Sequence, residues 1–174
     1  MMGKFGHIFL IGFMGSGKSS VGRNLSVLLD RDLFDTDAAI IKKDGRPISR
    51  IFEESGEGYF RRLETLILNE IEGSKPLVVS CGGGMAIRQE NIDIMKRTGK
   101  VILLSASPQT ILERVEKSDR RPILEGNKNI EFITNLMNKR VPLYEKASDI
   151  VVDCDNRSIE EISLEIKGLL TWNG

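Results

Sequence analysis

The sequence predicts a three-layer α/β domain, in which helices cover both faces of a mostly parallel β-sheet. Short apolar runs alternate along the chain with segments of helical periodicity, which is the pattern of such a sheet. The runs are apolar at every position, as expected for strands that are buried on both faces. In addition, a glycine-rich segment directly follows the first run, where α/β proteins commonly bind phosphate groups.

The predicted strands are five apolar runs, at residues 7–11, 33–34, 77–80, 101–104 and 150–152. The first helix is predicted at residues 21–29, where apolar side chains recur every three or four positions. Two later helix starts carry capping signals. Ser107 stands directly before Pro108, and Ser158 stands three positions before Glu161.

Two segments interrupt this alternation. Residues 38–70 have helical periodicity and form a long insert between the second and third strands. Residues 118–128 are polar, basic and poor in apolar side chains. Such a segment is typical of a solvated loop, but beside a nucleotide site it can serve as a mobile lid.

The totals indicate one domain of a cytoplasmic protein. The chain has 174 residues, with 25 basic and 25 acidic side chains and no net charge, so nothing points to nucleic acid or a membrane as a partner. The start of the chain lacks the pattern of a secretory signal. Cys81 and Cys154 have neither disulfide nor metal-site spacing, so we expect both to be buried free thiols. We also expect the protein to be a monomer.

The strongest motif is GFMGSGKS at residues 12–19, which fits G-x-x-x-x-G-K-[ST]. Glycines permit the tight turn that directs backbone N–H groups toward phosphate oxygens, and the following helix presents its positive end to them. Lys18 is predicted to reach the β- and γ-phosphates, and the Ser19 hydroxyl to bind Mg²⁺. The predicted nucleotide site comprises Gly15, Ser16, Gly17, Lys18, Ser19 and Ser20.

The sequence argues against a GTPase. Guanine recognition requires N-K-x-D, and the nearest match, Asn127-Lys128, has Ile130 in the place of the aspartate. A D-x-x-G switch motif is missing as well, and large ATPase modules need a longer chain. Small-molecule kinases remain.

Within that class, the chain resembles the shikimate kinases. Five motifs follow the phosphate loop in the order of that family: DTD at 35–37, FRRLE at 60–64, GGG at 82–84, RPIL at 121–124 and RVPLY at 140–144. The resemblance implies a P-loop kinase fold in a single domain (1–174), with sheet order 2-3-1-4-5, a substrate-binding insert at about 35–64 and a lid at about 112–124. It also implies transfer of the γ-phosphoryl group of ATP to the 3-hydroxyl of shikimate, a step of chorismate and aromatic amino acid biosynthesis.

By this resemblance, Asp37 binds the substrate hydroxyl and takes its proton, and Asp35 holds a water of the Mg²⁺ shell. Residues two apart in a strand share a face, so both carboxylates are expected to point into the crevice at the carboxyl end of the second strand. The alternative is that one of them caps a helix that starts near Ala38. The two roles are compatible.

The resemblance assigns Arg61 and Arg140 to the clamp for the shikimate carboxylate, which a guanidinium can grip with two parallel hydrogen bonds. Glu64 is predicted to orient Arg61 from one turn along the helix. Arg62 is predicted to be an ordinary surface charge. The same role is the alternative interpretation for Arg61 and Arg140. Among the glycines, the Gly82 and Gly83 N–H groups are implied to face the substrate, and a merely flexible turn is the alternative.

Three further arginines have implied roles at the nucleotide. Arg121 would contact the transferring phosphate as an arginine finger does, with Arg120 as the neighbouring alternative. Arg114 and Arg157 would flank adenine, although both also fit ordinary surface charges. His7, the only histidine, is expected to be structural or exposed.

Two other functions stay open at this point. A gluconate or nucleoside monophosphate kinase would share the phosphate loop, but the pair Arg61 and Arg140 and the three glycines argue against it. A regulatory nucleotide-binding module would not need Asp37 or the substrate arginines, and all of them are present.

Overall fold

Five parallel strands form the centre of the molecule, in the order β2-β3-β1-β4-β5. The strands are β1 (His7–Ile11), β2 (Leu33–Asp35), β3 (Val78–Ser80), β4 (Gly99–Ser105) and β5 (Ile150–Asp153). These assignments come from a computed structural model, which describes residues 6–117 and 129–172. The predicted fold class and strand order are confirmed.

Helices cover the sheet on both sides. They are α1 (Lys18–Leu29), α2 (Thr36–Asp44), α3 (Ile48–Ile71), α4 (Gln89–Thr98), α5 (Pro108–Glu116), α6 (Ile130–Ala147) and α7 (Ile159–Trp172), with a short 3₁₀ turn at Met85–Ile87. Strand β1 shows why the runs are apolar throughout. Ile8 and Leu10 pack under α1 and α7, whereas Phe9 and Ile11 pack into the core on the opposite face.

The capping signals have the geometry that the sequence predicts. The Ser107 hydroxyl accepts a hydrogen bond from the Thr110 amide, with Pro108 in the first turn of α5. At the start of α7, the Ser158 amide donates to the Glu161 carboxylate, and the Glu161 amide donates back to the Ser158 hydroxyl. These caps fix where α5 and α7 begin relative to the ends of β4 and β5.

The helical insert between β2 and β3 consists of two helices. Gly45, at φ 85°, ends α2, and Pro47 stands directly before α3. Within α3, Gly56 departs from helical geometry at φ 80° and ψ 169°, so α3 is kinked there. The two helices share a small core that is separate from those of the sheet, formed by Ile40, Ile51, Phe60, Leu63 and Ile67.

Gly56 and Gly58 provide a matched pair of substitutions in one helix. At Gly56 the backbone lies in a region that only glycine adopts readily, so we expect Gly56→Ala to lower the free energy of unfolding by about 1–3 kcal/mol. Gly58 has helical geometry and room for a methyl group, so Gly58→Ala should raise the free energy of unfolding by about 0.5–1 kcal/mol. Urea denaturation of both variants measures the two effects, and equal effects would contradict the kink.

Both cysteines and the histidine have structural positions. Cys81 and Cys154 are buried free thiols, as predicted, and burial raises the pKa of Cys154 to about 11. His7 is buried, and its Nδ1 accepts from the Leu77 amide while Nε2 donates to the Ile71 carbonyl. Burial lowers the pKa of His7, which keeps the ring neutral and suits these two bonds.

Among the helices in the described parts of the chain, none combines the length and apolar character that a membrane crossing requires.

Candidate active site

A cavity of about 520 Å³ opens where β1, β2 and β3 end. The loop after β1 and the start of α1 form one side of it, through Met14, Gly15, Gly17, Lys18, Ser19 and Ser20. The opposite side carries apolar groups of α3, namely Ile48, Phe52 and Phe60. Charged side chains from five elements line the space between, namely Asp35, Asp37, Arg61, Glu64, Arg114 and Arg140. The carboxyl ends of parallel strands are the usual place for a ligand in an open α/β sheet.

The loop at residues 12–17 has the backbone of a phosphate cradle. Gly15 and Gly17 have φ values of 80° and 102°, which favour glycine, and α1 begins directly afterwards without a side-chain cap. The first amides of α1 are therefore directed at the cavity. The Lys18 ammonium donates to the carbonyls of Gly12 and Phe13, at 2.8 and 3.1 Å.

Ser16 supports the same interpretation. Its side chain is buried, and its Oγ has no hydrogen-bond partner among the described residues. An unpaired buried hydroxyl is costly, and a phosphate oxygen in the cradle would provide the missing acceptor. The residues of the loop thus fit the nucleotide that the motif predicts.

The two aspartates reach the cavity by a route that differs from the prediction. Strand β2 ends at Asp35, and Asp37 lies in the first turn of α2, so the idea that both share one face of a strand is wrong. Asp35 Oδ1 accepts a hydrogen bond of 2.9 Å from the Ala38 amide and caps α2. The alternative role as a cap is thus present, and Asp35 still lines the cavity.

Asp37 has the electrostatic setting of a carboxylate that can hold a proton. Burial raises its pKa above the ordinary value, and the negative charge of Asp35 adds to the effect. Lys18 and Arg61 act in the opposite direction, but the net shift is upward. The carboxylate therefore lies between the cation of the phosphate loop and a cation of the helical insert.

Thr36, between the two aspartates, ties their turn to the glycine segment. Its buried hydroxyl accepts from the Gly82 amide at 2.9 Å and contacts the Ser80 carbonyl at 3.4 Å. The implied direction of the Gly82 N–H, toward a substrate, is therefore wrong, because Thr36 takes that hydrogen. Gly82 matters for another reason: a Cβ there would lie 2.6 Å from Asp37 Oδ1.

Arg61 is held by two carboxylates of its own helix. Its Nη1 donates to Glu64 at 2.8 Å, while Nε and Nη2 donate to Glu57 at 3.2 and 3.0 Å. Burial alone would lower the pKa of Arg61, but these partners raise it, so the guanidinium stays protonated. Glu64 is almost completely buried, and burial raises its pKa despite the pairing with Arg61. The predicted contact between Glu64 and Arg61 is present.

Gly84 leaves the space that the Arg61 guanidinium occupies. A Cβ at this position would lie 2.0 Å from Nη1 and 2.6 Å from both Cζ and Nη2. We expect Gly84→Ala to push the guanidinium out of place and to raise the KM for the acidic substrate by about tenfold or more, as loss of one charge-assisted contact does. The KM for ATP should be unchanged in steady-state kinetics.

The control for this substitution is Gly73→Ala, where a Cβ meets nothing within 4 Å. If Gly84→Ala and Gly73→Ala gave the same substrate KM, Gly84 would have no part in placing Arg61.

Arg140 reaches the cavity from α6, so the structure brings the two predicted clamp arginines to one cavity. A Cβ at Gly83 would lie 3.8 Å from Arg140 Nη1, which places this guanidinium beside the glycine segment. One turn along α6, the buried Tyr144 donates its hydroxyl hydrogen to the Gly83 carbonyl. Tyr144 therefore fixes the segment against the helix that carries Arg140.

The other nucleotide arginines have different positions. Arg114 lines the cavity and donates to the carbonyls of Gly15, Ser16 and Cys154, at 3.1, 3.0 and 3.3 Å. Arg157 does not line this cavity, and it donates to the Asp153 carbonyl and pairs with Glu165.

Part of the predicted lid lies outside the described residues. Arg121 and the alternative Arg120 belong to that part, together with the predicted loop at 118–128. Residues 112–116 of the predicted lid lie in α5. The implied roles of Arg121, Arg114 and Arg157 stay predictions.

Oxygen groups suited to Mg²⁺ stand at the phosphate side of the cavity. The Ser19 hydroxyl and the Asp35 carboxylate both line it. In residues 6–117 and 129–172, no group of three or more His, Cys, Asp or Glu side chains could hold a metal by itself. Mg²⁺ is usually held by one or two protein groups together with water and substrate phosphates, and the Ser19 hydroxyl and the Asp35 carboxylate fit that pattern.

Three contributors to the site were not predicted from the sequence: the Thr36 hydroxyl, the Glu57 carboxylate and the space at Gly84. Glu57 stands four positions before Arg61, a helical spacing that predicts an ion pair, so a signal for it existed. Thr36 and Gly84 act across elements that are distant in the chain, and no local pattern marks them.

Comparison with known proteins agrees with this site. A family model described as shikimate kinase matches residues 14–171. Shikimate kinase from Dictyoglomus turgidum is 43% identical over 160 residues, which cover 90% of this chain and 92% of that protein. A solved structure of shikimate kinase from Acinetobacter baumannii in complex with shikimate has a TM-score of 0.90 at 33% identity, covering 98% of this chain and 95% of the other.

A more distant likeness shows the fold alone. The structure of a gluconokinase from Sinorhizobium meliloti has a TM-score of 0.63 at 20% identity, covering 97% of this chain and 93% of the other.

Proposed function

This chain belongs to the shikimate kinase family, and we infer that it transfers the γ-phosphoryl group of ATP to the 3-hydroxyl of shikimate. The products are shikimate 3-phosphate and ADP. One observation of the structure carries the inference: Asp37 lies in the same cavity as Lys18 of the phosphate loop and the two arginines Arg61 and Arg140. The site can therefore hold a triphosphate on one side and an acidic alcohol on the other.

We propose that the substrate is held by its carboxylate and oriented by its hydroxyl. Arg61 and Arg140 grip the carboxylate, the Gly83 N–H faces it, and Gly84 leaves the space that the Arg61 guanidinium needs. Gly82 contributes by leaving room for the Asp37 carboxylate. Asp37 accepts the hydrogen of the 3-hydroxyl and takes its proton as the bond to phosphorus forms. Because phosphoryl transfer depends mainly on an oriented nucleophile and on charge stabilisation, the Asp37 carboxylate with its raised pKa suffices.

The nucleotide is proposed to occupy the opposite side. The amides of residues 15–20 and the Lys18 ammonium hold the β- and γ-phosphates, and Lys18 neutralises charge that develops on the transferred group. Lys18 gives up its contacts with the carbonyls of Gly12 and Phe13 to do so. Arg121 adds a second cation from the lid, and Arg114 and Arg157 flank the adenine.

We propose that Mg²⁺ is held by Ser19 directly and by Asp35 through a water. When bound, the ion would offset the negative charge of the phosphates. Asp35 can fill this role while it caps α2, because a carboxylate accepts several hydrogen bonds.

The remaining proposals concern the protein as a whole. The chain forms one domain (1–174), with the substrate insert at 35–64 and a lid at 112–124 that excludes water on closure. We propose that it works as a monomer. A reducing cytoplasm suits the two free thiols, Cys81 and Cys154.

A coupled assay of ADP release tests the function. We expect release from ATP and Mg²⁺ to require shikimate, and to stay at background with gluconate or a nucleoside monophosphate. Release with gluconate alone would assign the chain to another small-molecule kinase. Binding of ATP without turnover on any of these acceptors would favour a regulatory module.

A further inference from the structure

A guanidinium has two edges that can bind a carboxylate with paired hydrogen bonds. One of these edges of Arg61 is already bound to a carboxylate of the protein. Nε and Nη2 form the edge of a guanidinium that grips a carboxylate side-on, and in this structure both donate to Glu57 Oε1. Glu64 takes Nη1. All three nitrogens of the guanidinium thus donate to acids of the same helix, through three of its five N–H groups.

The two acids differ sharply in exposure. The Glu64 side chain is 1% exposed, whereas that of Glu57 is 67% exposed. Releasing Glu64 would leave a buried charge without a partner, which is costly. Releasing Glu57 returns a carboxylate to water, and an exposed ion pair of this kind contributes little. Glu64 is therefore the permanent partner of Arg61 and Glu57 the replaceable one.

The chain around Glu57 gives it room to leave. Glu57 directly follows the kink at Gly56 and precedes Gly58. A Cβ at Gly56 would meet nothing within 4 Å, and 67% of the Glu57 side chain is exposed. The side chain can turn toward solvent without displacing a packed neighbour.

The charges also favour exchange over addition. With Glu57 and Glu64 in place, one guanidinium faces two carboxylates, so its charge is already outweighed. With Arg140 included, a third carboxylate would give two cations three acids to face, whereas exchange for Glu57 keeps two acids for the two cations.

From these contacts we propose that Glu57 is an internal competitor of the substrate: its carboxylate occupies the side-on edge of Arg61 and must be displaced when the substrate carboxylate binds. The proposal rests on the function inferred above and names a further residue that sets the affinity for the acid. Glu57 makes no contact with the reacting atoms. It lowers the affinity for the substrate only by reducing the fraction of molecules in which Arg61 is free to bind the substrate carboxylate.

The test is the shikimate affinity of Glu57→Gln. Since an exposed ion pair contributes about 0.2–1 kcal/mol, removing the competitor should lower the Kd and the KM for shikimate by about 1.5- to 5-fold. The kcat and the KM for ATP should match the wild type, and the melting temperature should fall by at most about 4 °C. Glu57→Asp, which keeps a carboxylate, should return the shikimate KM toward the wild-type value.

Glu53→Gln is the matched control, because Glu53 lies on the same helix and its side chain is also 67% exposed. An equal fall in KM for Glu53→Gln would mean that any lost negative charge suffices, and it would overturn the proposal. A rise or no change in KM for Glu57→Gln would overturn it too, since Glu57 would then hold Arg61 for binding or contribute nothing. If the wild type failed to phosphorylate shikimate, the function itself would fall instead.

Discussion

Replacing Asp37 with asparagine is expected to lower kcat by about 10²–10⁴-fold while ATP still binds. The amide cannot take the proton of the substrate hydroxyl, and it aligns the attacking oxygen less well. Lys18 and the phosphate loop are untouched, so the affinity for ATP, measured by calorimetry, should stay close to that of the wild type. A near-normal rate in this variant would remove the proposed role of Asp37.

The same variant should be more stable than the wild type at neutral pH. The pKa of Asp37 is raised in the folded protein, so its ionised form costs folding free energy above that pKa. Asparagine removes the cost. The difference should fade as the pH falls through the raised pKa, because the wild-type carboxyl then becomes neutral as well. Urea denaturation at neutral and acidic pH measures this, and it separates lost catalysis from lost folding.

Replacing Arg61 with alanine is expected to raise the KM for shikimate by more than about 30-fold, which corresponds to the lower end of the ~2–5 kcal/mol that a desolvated charge-assisted pair contributes. The KM for ATP should change little, since Arg61 belongs to α3 of the helical insert and not to the phosphate loop. If Arg61 binds the ground and transition states alike, kcat will fall less than kcat/KM. Steady-state kinetics with each substrate varied in turn give these values.

Two controls separate binding from folding in this experiment. Arg62→Ala removes an exposed cation next in the chain, and it should leave the shikimate KM unchanged. Arg61→Ala leaves Glu64 buried without its partner, whereas the double variant with Glu64→Gln removes that charge. The double variant should recover stability but not affinity. Recovery of affinity would mean that Arg61 serves only to neutralise Glu64.

The sequence predicted the layers, the strands and the phosphate loop because each depends on local pattern. Strand ends shifted by one or two residues, and β2 extended to Asp35. The strand order is a matter of tertiary packing, and it could be stated only through the resemblance to a family.

The errors have local physical causes. Asp37 was placed in a strand, although an aspartate two positions earlier and an acid in the first turn are also a helix-start signal. The direction of the Gly82 amide depends on Thr36, which is distant in sequence from it. Likewise, the space at Gly84 has meaning only once α3 is packed against the glycine segment.

Arg114 has a consequence for attempts to redesign this enzyme. Its single side chain holds carbonyls from two separate segments, at Gly15 and Ser16 and at Cys154. Exchanging it to alter the preference among nucleotide bases would also loosen the loop that grips the phosphates. If Arg114 flanks the adenine, as proposed, selectivity for the base and grip on the phosphates would be coupled, and a change in one would have to be compensated elsewhere in the fold.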